Sequence, residues 1–375
     1  MSQDVGFLPR SGIQDLLDVL QGEGFRCIGP TVHDGAIVFD DIDSVTSLPQ
    51  GISETQAPGN YRLSQSDSPR FFAWANGPQA LKPMVFATRE ILWTCRYSNK
   101  EGGMDFQVVE PTSQPTAVLG VRPCDLAALY LNDQHFLQQH YQDPYYLARR
   151  QQLVLIAVNC THPADTCFCA STGDGPRAHF GYDLALTELE EGFVVEVHSD
   201  AGKQLAQQLA LQEITANQLQ QVDVAMKQAA DKQQRQLPSR DLNKTLFANL
   251  DHSQWADVGE RCLSCGNCTA VCPTCFCHQE FEVSDIQGKV SNHYREWDSC
   301  FTQGHSYIHG ITIRPDTDKR YRQWLTHKLG SWHDQYGRSG CVGCGRCITW
   351  CPVGIDITQE AAAICGEGVE EVKVT

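Results

Sequence analysis

No stretch of this 375-residue chain approaches the roughly 20 apolar residues that a membrane-spanning helix needs, so no membrane partner is expected. Positive charge is also scarce: 29 Lys and Arg stand against 45 Asp and Glu, a formal net charge of −16. Nucleic-acid binders usually carry a basic balance, and that partner class is not expected either. The amino end, Met1 to Leu20, carries Asp4, Arg10, Asp15 and Asp18, with no basic stretch leading into an apolar one. No secretory signal is read there, which points to a reducing cytoplasm. Also missing are G-x-G-x-x-G behind a strand, a phosphate loop with G-K-[ST], H-E-x-x-H and G-x-S-x-G. Their absence leaves no visible nicotinamide site and no visible place for a two-electron reaction.

Cysteine is abundant, with 18 residues. In a reducing compartment, cysteines at ligand spacing read as metal sites before disulfides. Cys262, Cys265, Cys268 and Cys272 followed by Pro273 spell C-x2-C-x2-C-x3-C-P, and Cys341, Cys344, Cys347 and Cys351 followed by Pro352 repeat it. A cubane needs four converging thiolates; this loop delivers three to one cluster and sends the fourth to a neighbour. The expectation is two [4Fe-4S] clusters, one on Cys262, Cys265, Cys268 and Cys351, the other on Cys341, Cys344, Cys347 and Cys272. Structural zinc is the alternative, but it does not call for four Cys followed by Pro twice over. Between the motifs lie Cys275, Cys277 and Cys300, which could replace a ligand or pack as reduced thiols.

The expected fold is α+β, with a mixed α/β domain over 1–200, a helical connection over 201–250 and a helical ferredoxin-like dicluster domain over 251–375. Ser11 and Gln14 have capping-box spacing ahead of Ile13, Leu16, Leu17 and Leu20, which predicts a first helix. Ala36 to Phe39 and Phe71 to Ala75 read as strands. Ala117 to Val121, a helix capped by Asp125 and the apolar run Leu153 to Val158 form a β-α-β unit; Leu184 to Leu189 and Phe193 to Val197 form a hairpin.

Cys124 and Cys160 follow the carboxyl ends of the two parallel strands, which lie about 5 Å apart if adjacent, and open α/β sheets place their sites at that edge. With Cys167 and Cys169 they make four thiols, the ligand count of a third [4Fe-4S] cluster; zinc or a set of reduced cysteines are the alternatives. His162, His278 and His305 lie near these cysteines as candidate hydrogen-bond partners or as ordinary core or solvated histidines, and Cys27, Cys95 and Cys365 read as structural.

Gly120-Val121-Arg122-Pro123-Cys124-Asp125, Cys167-Phe168-Cys169, Cys262 to Cys277, Trp297-Asp298-Ser299-Cys300-Phe301 and Cys341 to Asp356 together resemble the beta, iron–sulfur subunit of cytoplasmic sulfhydrogenases, which are NAD(P)-linked nickel–iron hydrogenases. The iron–sulfur electron-transfer subunit of anaerobic sulfite reductases is similar. The resemblance runs from about Gly29 to Ile357 and departs from compact ferredoxins in the insert between the two motifs. It implies a non-catalytic electron-transfer subunit of an oxidoreductase complex, relaying single electrons between nickel–iron hydrogenase small and large subunits on one side and an FAD/NAD(P)-binding subunit on the other. The alternative partner is a sirohaem sulfite reductase subunit. Two other classes stay open: an enzyme binding substrate beside Cys124, and a redox-sensing or structural cluster protein.

Overall fold

In the structure, a computed structural model, residues 5–98 and 103–366 are described. A seven-stranded mixed sheet runs in the order Val5–Pro9, Gly192–Val197, Leu184–Glu188, Leu153–Val158, Thr116–Val121, Arg26–His33, Ala36–Asp41. Its centre is parallel: Thr116–Val121 pairs in parallel with both Leu153–Val158 and Arg26–His33, and Leu184–Glu188 joins Leu153–Val158 the same way. The expected hairpin closes one side.

Period-two alternation distributes the core. Leu119, Ile156 and Leu186 face the helix Gly12–Gly22 and its Leu16, Leu17 and Leu20, while Val118, Leu155 and Ala185 pack on the other face with Leu126, Leu129 and Phe136 of the helix Pro123–Leu137. Both helices begin differently from the expectation. Ser11 makes no capping hydrogen bond, and Gln14 instead accepts from Val45 N at 2.9 Å. Arg122, not Asp125, precedes the second helix; Pro123 occupies its first turn, and Asp125 is buried in an ion pair.

Phe71 to Ala75 is not a strand. Phe71 N and Phe72 N donate to the Glu188 carboxylate at 2.9 and 2.8 Å, and Trp74 Nε1 donates back to Phe71 O. The segment meets its backbone needs through a buried carboxylate, so its apolar run produces burial without a ladder.

The region after Asp251 is not wholly helical. The strands His278–Ser284 and Val290–Trp297 form an antiparallel ladder that continues through Arg89–Ser98 to Gly103–Val108. These polar, half-exposed strands carry little apolar pattern, and their partner lies nearly two hundred residues earlier. The buried Arg295 side chain ties the sheet down, pairing with Glu90 at 2.7 Å and with Asp143. The Gln-rich stretch is helical, at Asp200–Gln207 and Ala216–Asp231, the latter started by a Thr215–Gln218 capping box. Helices Gln254–Arg261, Thr317–Thr326 and Ile357–Cys365 enclose a separate core of Trp255, Tyr321, Trp324, Leu325 and Ile364. Among the described residues no helix is long and apolar enough to cross a membrane.

Candidate metal centre

The two cysteine motifs share one backbone path. Two residues after the first cysteine the chain turns through positive φ, at Ser264 (φ 51°) and Gly343 (φ 62°), and it does so again just after the second cysteine, at Gly266 (φ 76°) and Gly345 (φ 73°). Each loop then enters a one-turn helix, Asn267–Ala270 or Arg346–Thr349. The turns aim backbone donors at sulfur: Ser264 N approaches Cys262 Sγ at 3.4 Å, Gly343 N approaches Cys341 Sγ at 3.5 Å, and Ile355 N approaches Cys351 Sγ at 3.3 Å. Such donors stabilise thiolate charge.

Cys262, Cys265, Cys268 and Cys351 line one cavity, walled by Phe301, Tyr321, Trp324 and Ile357. Cys272, Cys341, Cys344 and Cys347 line a second, walled by Phe168, Trp324, Lys328 and Ile357. The cavities adjoin, since Cys347, Trp324 and Ile357 belong to both walls.

Burial pushes the Cys268 and Cys347 thiols well above the ordinary range and Cys341 up to about 12. Cys272 goes the other way, lowered by a hydrogen bond from Cys275 and by the Lys328 charge. Among the described residues no three His, Cys, Asp or Glu groups converge tightly enough for a single metal ion, as a zinc with sulfurs at about 2.3 Å demands. Thiols arrayed around cavities suit a larger cationic body, which would ionise its coordinating thiols outright.

Buried cations test that fit. The Lys328 side chain is 3% exposed, and its ammonium donates to Thr274 Oγ1 at 2.7 Å in the wall of the second cavity. Arg346, beside Cys344, forms a fully buried two-point pair with Asp125 at 2.6 and 3.0 Å. Asp125 compensates Arg346, whereas the buried Lys328 ammonium has Cys272, Cys275 and Cys341 around it, and these would compensate it as thiolates.

The four N-terminal cysteines are all buried. Cys124 sits in the first turn of Pro123–Leu137, Cys160 follows the strand Leu153–Val158, and Cys167 and Cys169 lie on the next loop. Cys124 and Cys169 pack with Cys344 around Ala127, Leu131 and Trp332, while Cys167 packs with Ala75 and Ala164. The Cys160 charge raises Cys169, and after burial both add to the rise of Cys167. Asn76 Nδ2 donates to Cys344 O at 2.8 Å, and Phe168 N to Gly343 O at 2.8 Å. A Cβ on Gly343 would fall 2.5 Å from Cys169 N, so the second motif's glycine serves both its own turn and this close approach.

Arg122 stands in a sequence motif that by itself assigns it no role. It is 1% exposed, stacks over Trp74 at 4.1 Å, and donates through Nη2 to Phe72 O and Trp74 O. Its Nε and Nη1 have no partner among the described residues, and its charge offsets part of the rise that burial gives the Cys160 thiol. A guanidinium with two unpartnered nitrogens beside buried sulfurs fits an anionic group held there. Nearby, burial pushes the Glu54 carboxyl up to about 7. Sequence reasoning misses Lys328 altogether; a lysine between apolar helical residues is its only sequence signal.

Of the remaining residues, His162 bonds Thr161 at 2.8 Å and is lowered to about 4 by burial and by nearby Arg70 and Arg122. His278 lies against Phe276 O. Cys27 is buried in the first core, its thiol raised to about 11, and Cys365 lies in the second.

Known proteins agree with this chemistry. A family model described as 4Fe-4S dicluster domain matches residues 261–355, which implies two [4Fe-4S] clusters. The chain is 28% identical over 337 residues to the Sulfhydrogenase 2 subunit beta of Pyrococcus furiosus, covering 88% of this chain and 90% of that one. No solved structure matches it.

Proposed function

From a chain that carries a 4Fe-4S dicluster domain and is a homologue of the sulfhydrogenase beta subunit, we propose an electron relay. It passes single electrons between nickel–iron hydrogenase small and large subunits on one side and an NAD(P)H-oxidising FAD subunit on the other. The observation that carries this reading is the pair of adjoining cavities, lined by five and four cysteines and sharing Cys347, Trp324 and Ile357.

In this proposal Cys262, Cys265, Cys268 and Cys351 hold one [4Fe-4S] cluster, Cys341, Cys344, Cys347 and Cys272 a second, and Cys124, Cys160, Cys167 and Cys169 a third. When bound, these groups supply one-electron transfer. The chain's own residues fix their surroundings. Phe301, Trp324 and Ile357 exclude water from the inner walls. Lys328 and Arg122 place buried positive charge near the thiolates, which favours the reduced state and raises its potential. Cys265 is exposed and flanked by Leu263 and Val353, which makes that edge the natural contact for an electron-exchanging partner.

The test is anaerobic native purification with identification of the co-purifying subunits. A nickel-containing large subunit together with a flavoprotein is the expected result. A sirohaem subunit without nickel would transfer the relay to sulfite reduction.

A further inference from the structure

The four-stranded sheet ends in two unlike edges. One is His278–Ser284, whose Glu280 and Glu282 place charge where edge-to-edge pairing would occur. The other is Gly103–Val108, where all six residues are exposed and, among the described residues, no further strand pairs with the outer backbone. This strand has no proline, no lysine and no bulge, the devices that usually blunt an open edge. Instead Met104, Phe106 and Val108, on one face, are 68, 62 and 72% exposed. Their neighbours on that face are Tyr97, Cys95 and Trp93 of Arg89–Ser98. The Trp93 ring lies 5.5 Å from Phe106 and stacks on His293 at 4.7 Å, so an aromatic row runs inward from the edge across three strands. The base of the sheet is fastened to the body, since the Tyr145 hydroxyl donates to Leu92 O and Val109 O. A firmly held, apolar and unpaired edge is a template for another strand.

We propose that Gly103–Val108 pairs antiparallel with the same strand of a second copy of this chain, about a two-fold axis at Phe106. The register follows from parity and charge. Side chains alternate, so the axis must pass through a residue for the apolar stripes of both copies to share one face. An axis at Asp105 sets two carboxylates opposite each other, which is destabilising. An axis at Met104 or Gln107 pairs only a short piece of the strand. An axis at Phe106 pairs Met104 through Val108: Phe106 meets its copy, Met104 meets Val108, and Asp105 meets Gln107. Amide and carboxylate suit each other here, since Gln107 Nε2 already donates to Asp105 Oδ2 at 3.0 Å within the strand. The same patch then serves both copies, as a closed two-fold contact requires. The joined sheet ends on the acidic strand His278–Ser284 at both sides, so pairing stops at two copies. No residue of Gly103–Val108 lines a cysteine cavity, and the pairing does not depend on the electron-relay reading.

The test is sedimentation equilibrium of the full cluster-loaded chain, kept anaerobic, over a concentration series, with hydrogen exchange of the Gly103–Val108 amides measured alongside. The mass should rise to twice that of the chain, and those amides should slow as it does. Asp105 and Gln107 are both exposed, so substitutions there spare the core, which an unchanged iron content checks. Gln107→Asp sets like charges opposite each other twice across the axis and should weaken association by roughly tenfold. Adding Asp105→Lys to it sets opposite charges there and should restore the dimer. A chain that stays single at every concentration overturns the proposal. So does a dimer that Gln107→Asp leaves unchanged, or a loss that the double variant does not restore. Amide protection that appears only in the native complex with other subunits also overturns it, and assigns the edge to one of them.

Discussion

Arg346 and Asp125 show how single residues join distant parts of this chain. Both side chains are 1% exposed, and the pair connects the second cysteine motif to the helix that carries Cys124. Replacing one partner strands the other as a buried charge, so Arg346→Leu should cost about 3–5 kcal/mol, with part of that recovered by adding Asp125→Asn. Anaerobic urea midpoints of the single and double variants measure both effects. His327 gives a pH dependence of definite sign. Burial and the Lys328 charge lower it from 6.5 to about 4, and Trp332 Nε1 donates to its Nε2 at 3.1 Å, so it is neutral in the fold. Between these values the unfolded chain binds the extra proton. The contribution of His327 is therefore complete above about 6.5 and fades as pH falls toward 4. Urea midpoints taken across that range should fall with acid, and His327→Gln should flatten the slope.

Among elements, the two cysteine loops are the most regular feature. The same pair of positive-φ turns recurs in both, with Ser264 standing where the second loop has Gly343. Each cavity nevertheless draws on the other loop: Cys351 and the shared Cys347 line the first, and Cys272 lines the second. Cys351→Ser should therefore perturb the electron paramagnetic resonance signal of the cluster on Cys262, Cys265 and Cys268. A change confined to the cluster on Cys341, Cys344 and Cys347 would reject the crossover. The repeated motif was legible because three of its cysteines lie within seven consecutive residues and the loop itself aligns them. The insert was not legible as strands, because His278–Ser284 and Val290–Trp297 draw their order from Arg89–Ser98 and not from their own apolar pattern. Phe71 to Ala75 misled for the opposite reason: its apolar run is buried, but Glu188 and Arg122 take the hydrogen bonds a ladder would have used.

Across the whole molecule, the N-terminal cysteines back directly onto the second motif: Cys124 and Cys169 pack with Cys344, and Gly343 touches Cys169. In the proposed relay, these three contiguous thiol groups would form a chain of sites for single-electron steps. The iron content of the anaerobically reconstituted protein should plateau near about 12 per chain, and near about 8 in Cys124→Ser. A wild-type plateau near about 8 would remove the N-terminal cluster. The four-stranded sheet takes two strands from before residue 110 and two from after residue 277, so the insert is fastened to the N-terminal half.

The sequence alone determined the local chemistry. Motif spacing marked eight cysteines as candidate ligands, strand ends marked Cys124 and Cys160, and apolar runs around a helix predicted the β-α-β unit at the parallel centre of the large sheet, because each of these signals is carried by neighbours in the chain. Tertiary structure decided what depends on distant segments meeting. It selected which cysteines share a cavity, set Arg122 and Lys328 as buried cations beside them, paired Arg346 with Asp125, and bonded His305 to Asp298. Such contacts follow from packing and buried-charge compensation, which act between residues that no sequence window contains together.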